Sequence, residues 1–208
     1  MVIEEQNSDF SGKIQVLKTF PWSKPYISTG FLTQSGGLVN DVWKPVIKLI
    51  KNYNNYLILG LAGGTLAKLI SKTNPKAQIT GVEIDPAMIY LGKKYLDLDT
   101  VPNLKIIIGD AQKNIVKSDV IFIDLYINDT VPDFVYSKKF LSKLKCKLLI
   151  INHLFYDDSK KTNAQVLIKL LESCANHIEI RRVLTNLIII ATPKTRQGNS
   201  TPLHQTAS

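Results

Sequence analysis

Tyr56-Leu57-Ile58-Leu59-Gly60-Leu61-Ala62-Gly63-Gly64-Thr65 decides how the rest of the chain is read. A short apolar run ends on a glycine, and small residues follow at 62, 63 and 64. Such a run suits a strand buried on both faces of a parallel sheet. The small residues let the backbone turn tightly and approach a ligand. Leu66, Leu69 and Ile70 then continue at helical spacing, and the start of that helix offers N–H groups without intrahelical partners. A dinucleotide fingerprint would place glycine at 60, 62 and 65, where this chain has Gly, Ala and Thr. The absence of a Lys-Ser/Thr ending excludes a P-loop. The competing use of the segment is a plain tight turn.

Toward the C-terminus, strands and helices alternate. The first helix stops before Asn74-Pro75. Strands are expected at 78–82, 104–108, 120–123 and 147–151. Helices are marked by Met88, Leu91, Tyr95 and Leu96, by Phe140, Leu141 and Leu144, and by the 160–175 stretch. Residues 177–182 and 187–191 read as two closing antiparallel strands joined at Thr185-Asn186. Alternation of this kind indicates a mostly parallel sheet covered on both faces, here of seven strands ending in an antiparallel hairpin.

Toward the N-terminus, residues 13–20 and 26–33 read as a β-hairpin around Pro21–Pro25. Val42, Trp43, Val46, Ile47 and Ile50 predict a helix over 39–51, with Pro45 awkwardly inside it. The expected organisation is an N-terminal hairpin region over 1–35, an α/β domain over 36–193 and a polar, disordered tail over 194–208.

Composition narrows the class. The chain has 208 residues and is 45% hydrophobic, enough for a substantial core. Cys146 and Cys174 lie in apolar periodic stretches and read as buried thiols. His153, His177 and His204 are far apart, and no metal site is expected. No apolar run reaches the ~20 residues of a spanning helix, and Met-Val-Ile-Glu-Glu lacks a signal-peptide pattern. A soluble cytoplasmic protein without membrane association is expected. The formal net charge of +9 invites a nucleic-acid partner. However, Lys44, Lys48, Lys51, Lys138, Lys139 and Lys143 are scattered over helix faces without an aromatic-interleaved cluster, so nucleic acid is not the expected partner.

Open α/β sheets bind ligands beyond the carboxyl ends of their strands. The chain places Gly60, Ala62, Gly63 and Gly64 after the first strand of the sheet and Glu83 after the second. Glu83 lies 23 residues beyond Gly60, matching the roughly 20-residue offset at which an acid accepts hydrogen bonds from ribose hydroxyls. Asp85 precedes Pro86 and reads instead as a helix N-cap. Asp110 follows the third strand. It can accept from an adenine amino group or cap the next segment, and the two uses are compatible. Asp124 follows the fourth strand, with Tyr126 and Asp129 beyond it. A carboxylate there can take a proton from a reacting nucleophile, so Asp124 is the candidate acceptor, with Tyr126 and Asp129 shaping the substrate pocket. A loop cap is its structural alternative.

These segments resemble the successive motifs of class I S-adenosylmethionine-dependent methyltransferases, and more narrowly the spermidine synthase (polyamine aminopropyltransferase) branch. Leu57–Leu66, Val82–Asp85 with Lys93-Lys94-Tyr95, Gly109-Asp110 and Ile123-Asp124 carry the likeness. Leu32-Thr33-Gln34-Ser35, Val131-Pro132, Ser137–Phe140 and Ile150-Ile151-Asn152 extend it over about residues 10–192. The resemblance implies a Rossmann-like sheet preceded by a small β-region. It also implies S-adenosylmethionine or its decarboxylated form as cofactor, with no metal, and a homodimer. Gln34 would touch the amino-acid end of the cofactor, Glu83 the ribose and Asp110 the adenine. Asp124 would receive the proton of the attacking amine.

The chain departs from that branch in three places. Its glycine-rich turn lacks the branch's Asp, residues 36–43 lack a Tyr-His-Glu string, and Ile127 stands where a second Asp is usual. The expected activity is aminopropyl transfer from decarboxylated S-adenosylmethionine to a diamine such as putrescine. The alternatives are a methyltransferase of another substrate and a non-catalytic nucleoside-binding module.

Overall fold

A computed structural model describes residues 1–194; of the tail expected over 194–208, all but Lys194 lies outside the described residues. The chain forms two sheets. The first is antiparallel, in the order β1 (Val2–Ser8), β2 (Gly12–Leu17), β3 (Tyr26–Thr29), β4 (Leu32–Ser35). After α1 (Val39–Ile47) comes the alternating region: β5 (Asn55–Leu59), α2 (Thr65–Thr73), β6 (Gln78–Glu83), α3 (Pro86–Leu96), β7 (Leu104–Ile108) and β8 (Val120–Ile123). The chain finishes with α4 (Lys138–Leu141), β9 (Leu148–Leu154), α5 (Asp158–Glu172), β10 (Ala175–Val183) and β11 (Asn186–Pro193).

The second sheet has seven strands in the order β10-β11-β9-β8-β5-β6-β7. Pairings among β5 to β9 are parallel, and β11 is antiparallel to both β9 and β10. Alternate residues of the central strands feed opposite faces. Ile58, Phe122 and Ile150 pack with Val46 of α1 and Ile70 of α2, while Leu57, Ile121 and Leu149 pack with Phe140 of α4 and Leu167 of α5. Burial on both sides explains why these strands are unbroken apolar runs.

The expected N-terminal hairpin is part of a four-stranded sheet. Residues 26–33 form two strands turning at Gly30 rather than one. β1 escaped the sequence reading because Val-Ile-Glu-Glu-Gln-Asn-Ser is polar on both faces and shows no apolar alternation. The sheet buries Ile14, Val16 and Ile27 against Ala87, Met88 and Leu91 of α3. Polar links reinforce the contact: Lys94 and Tyr95 of α3 both reach Glu4. Pro45 is accommodated inside α1, which ends at Ile47, short of the expected end. Cys146 and Cys174 are free and partly buried, so the expected burial of the thiols holds only in part. Among the described residues, no helix is long and apolar enough to cross a membrane.

Candidate functional site

The strand order reverses at β5, which has β6 on one side and β8 on the other. The carboxyl ends of these strands therefore open a crevice. Gly60 closes β5 with φ 91°, and a Cβ there would fall 2.1 Å from the Asp124 carbonyl oxygen. Only glycine permits the loops after β5 and β8 to approach this closely.

Glu83, at the end of β6, is held by two backbone donors. Ala62 N–H donates to Oε2 at 2.7 Å and Asp85 N–H to Oε1 at 3.0 Å. Burial pushes its pKa up, and the bonds from Asp85 and Ala62 oppose that shift. A carboxylate has about four acceptor positions, so further acceptor capacity remains on Glu83. Asp85 is fully buried, accepts from Ala87 N–H at 2.9 Å with Pro86 following, and is the N-cap of α3 that its spacing predicts. It also accepts from Ser8 Oγ at 2.7 Å, which fixes the end of β1 to this loop. Asp110 accepts from Gln112 N–H at 2.8 Å, so it closes a local turn while partly exposed.

Glu83 and Asp110 border one cavity of about 290 Å³, together with Asp9, Phe10 and Ser11 from the β1–β2 turn. A second cavity, of about 360 Å³, opens between α1, β4 and the Leu184–Asn186 turn. Gln34, Gly60, Ala62, Asp124 and Tyr126 border both, so the two spaces meet at Asp124.

Asp124 is held on both oxygens. Trp43 Nε1 donates to Oδ2 at 3.2 Å and Asn152 Nδ2 to Oδ1 at 2.9 Å. Burial raises its pKa to about 6 against the lowering effect of Asn152 and Trp43. Asn152 is itself fixed, accepting from Asn186 Nδ2 at 2.8 Å, and its carbonyl accepts from Tyr126 Oη at 2.8 Å. Burial, followed by the nearby Asp124 charge, raises the Tyr126 pKa well above its ordinary value, so Tyr126 is a neutral phenol.

Gly63 and Gly64 differ from their expected cofactor role: they border neither cavity. A Cβ on Gly63 would lie 2.8 Å from Ile27 and Leu96 side-chain carbons, and one on Gly64 would lie 2.2 Å from Leu98. Their smallness serves packing. The amides expected to face a ligand are also largely engaged. Those of Gly60 and Leu61 donate to Val82 O and that of Gly64 to Leu61 O. Thr65 N–H donates to Ser35 Oγ at 3.3 Å, while Thr65 Oγ1 accepts from Gly36 N–H at 2.6 Å.

Asp129 also departs from its expected place in the substrate pocket. It pairs with Lys160 Nζ at 2.7 Å, accepts from Tyr156 Oη at 2.6 Å and borders neither cavity. Lys160, then Tyr156, hold its pKa down at about 2. The neighbouring Asp157 caps α5, accepting from Lys160 N–H at 2.8 Å. Gln34 borders both cavities and donates to Thr29 Oγ1 at 2.7 Å.

Sequence reading missed Trp43, Asn152 and Asn186 as site residues. Trp43 is hidden in the apolar stripe of α1, where its indole N–H is the one polar atom. Asn152 breaks the apolar run of β9, and a polar residue at the end of a buried strand is the signal that could have found it.

No family model matches the chain. Over 113 residues it is 31% identical to a probable polyamine aminopropyl transferase of Bifidobacterium longum (strain NCC 2705), covering 52% of this chain and 25% of that protein. Among solved structures, it resembles a probable spermidine synthase from Corynebacterium glutamicum ATCC 13032. The TM-score is 0.71 at 18% identity, over 97% of this chain and 83% of that one. This is a spermidine synthase-like class I methyltransferase fold. A human methyltransferase-like protein 13, solved with SAH, shares that fold at TM-score 0.56 and 22% identity, over 79% of this chain and 84% of that one. The chain spans about a quarter to a third of the length of the first curated relatives it matches. In this spermidine synthase-like fold, the two cavities lie at the carboxyl ends of the parallel strands.

Proposed function

We propose that the protein is a transferase that takes decarboxylated S-adenosylmethionine as donor and moves its aminopropyl group to an amine. One observation carries this reading. Among the described residues, the two joined cavities are bordered by Asp9, Glu83, Asp110 and Asp124 and by no Lys, Arg or His. The protein is basic overall at +9, so this local reversal of sign selects cationic ligands. The carboxylate of intact S-adenosylmethionine would need a cation or free amides, and most amides of the glycine-rich turn already have partners. The decarboxylated donor carries positive charge alone. The relatives named as aminopropyl transferases support the same choice.

In this reading Glu83 accepts from the ribose hydroxyls and Asp110 from the adenine amino group, both within the 290 Å³ cavity. Gln34, Gly60 and Ala62 border the donor's tail where the cavities join. When bound, the donor supplies a carbon made electrophilic by its sulfonium. Asp124 draws the acceptor amine toward the junction and takes its proton, a task suited to a carboxylate with a pKa near 6. Tyr126, bonded to the Asn152 carbonyl, shapes the wall beside it.

Calorimetry with the two donor forms tests the reading. Decarboxylated S-adenosylmethionine should bind at least ~10-fold more tightly than the intact form. Equal affinities would favour methyl transfer, and nucleoside binding without turnover of any amine would leave a binding module.

A further inference from the structure

The aminopropyl-transfer reading leaves the acceptor open, and the following inference rests on that reading. The 360 Å³ cavity has one charged side chain, Asp124, placed where it meets the nucleoside cleft. Val42, Leu66 and Leu154 form a buried apolar side of its wall, Leu38 and Leu184 an exposed rim, and uncharged polar residues such as Thr33, Gln34 and Asn186 complete it. Its polar groups are mostly paired with one another. Ser35 Oγ lies 2.8 Å from Thr65 Oγ1, and Tyr126 and Asn186 both bond to Asn152. The next acid along the loop, Asp129, is ion-paired to Lys160 outside the cavity.

A diamine brings two ammonium groups into this space. Asp124 matches one. No second carboxylate borders this cavity, and along its buried side, at Val42, Leu66 and Leu154, an unpaired charge is strongly unfavourable. An apolar chain on a single amine gains instead from each methylene that leaves water. We propose that the acceptor is a primary monoamine with an apolar body, an alkyl- or arylalkylamine, rather than a diamine. The amine nitrogen forms a C–N bond to the propyl carbon as the C–S bond breaks. The electron pair of that bond stays on sulfur, giving the neutral thioether 5′-methylthioadenosine, and the proton lost from nitrogen goes to the Asp124 carboxylate.

The test compares hexylamine with 1,6-diaminohexane, which differ only in the terminal ammonium. Each is titrated into protein loaded with 5′-methylthioadenosine. Hexylamine should bind at least ~10-fold more tightly. Equal or tighter binding of the diamine, or no binding of either, overturns the proposal. Leu184→Asp places a second carboxylate at an exposed position of the wall and should bring diamine affinity up toward that of hexylamine. No change on that substitution also overturns it. The nucleoside is titrated alone first. If it fails to bind, the donor reading falls and this one with it. If it binds and the diamine is preferred, only the monoamine assignment falls.

Discussion

Asn152 Nδ2 donates to Asp124 Oδ1 at 2.9 Å, and through Asn186 and Tyr126 this contact ties the end of β9 to the loop after β8 and to the β10–β11 turn. With Trp43 of α1 bonding the other oxygen, the carboxylate is aimed by α1, β9 and the β10–β11 turn, all distant from it in sequence. Its two donors stabilise the charged form, while its burial disfavours that form more strongly.

Asp124→Asn should abolish turnover, because the amide lacks the basic oxygen, while 5′-methylthioadenosine, which carries no sulfonium charge, should bind within about twofold of wild type. In the wild type, turnover should rise with pH along a limb centred near 6, as the carboxylate ionises. Steady-state rates across pH 5–8 and calorimetry of the variant with 5′-methylthioadenosine check these outcomes; wild-type rates in the variant would remove the proton-acceptor role.

The same residue makes stability depend on pH. An unfolded Asp titrates near 3.8 and this one near 6, so between those values the folded state holds a proton that the unfolded state has released. Its contribution therefore declines as pH rises from about 4 to about 6, by roughly 2–3 kcal/mol in all. Urea unfolding of the wild type and Asp124→Asn at pH 4, 5 and 7 should show this decline in their difference. A flat difference counts against a raised pKa.

Glu83→Ala should weaken nucleoside binding by about 1.5–3 kcal/mol, the range for hydrogen bonds to a charged group. Because Glu83 also holds Ala62 N–H and Asp85 N–H, the thermal midpoint should drop as well. Calorimetry with 5′-methylthioadenosine and a melting curve separate the two effects.

Thr65→Val replaces a hydroxyl by a methyl and leaves the Gly36 N–H, which donates to it at 2.6 Å, without its partner. A cost of about 1–3 kcal/mol is expected from urea unfolding. Asp129→Asn, by contrast, should change turnover by less than about twofold, since Asp129 touches Lys160 and Tyr156 and borders neither cavity.

The sheet was legible because its strands are buried on both faces and leave apolar runs such as Tyr56–Leu59 and Val120–Ile123. Glu83, Asp110 and Asp124 were legible as candidates because each follows one of those runs. The structure brings Glu83 and Asp110 to one cavity and Asp124 to its edge. Three features were hidden, each for its own reason. β1 has no apolar face of its own to betray it. The smallness of Gly63 and Gly64 has the same appearance in sequence whether it makes room for a ligand or for Ile27, Leu96 and Leu98. Asp129 looked available because its partner Lys160 lies 31 positions away on α5.

The Ser35–Thr65 contact couples the order of synthesis to the order of assembly. β1–β4 are translated before Thr65, Asp85 and the apolar face of α3, which anchor them. These strands therefore wait with Ile14, Val16 and Ile27 uncovered until the polypeptide has been made past Leu96. During that interval they are a target for chaperones and a hazard for self-association.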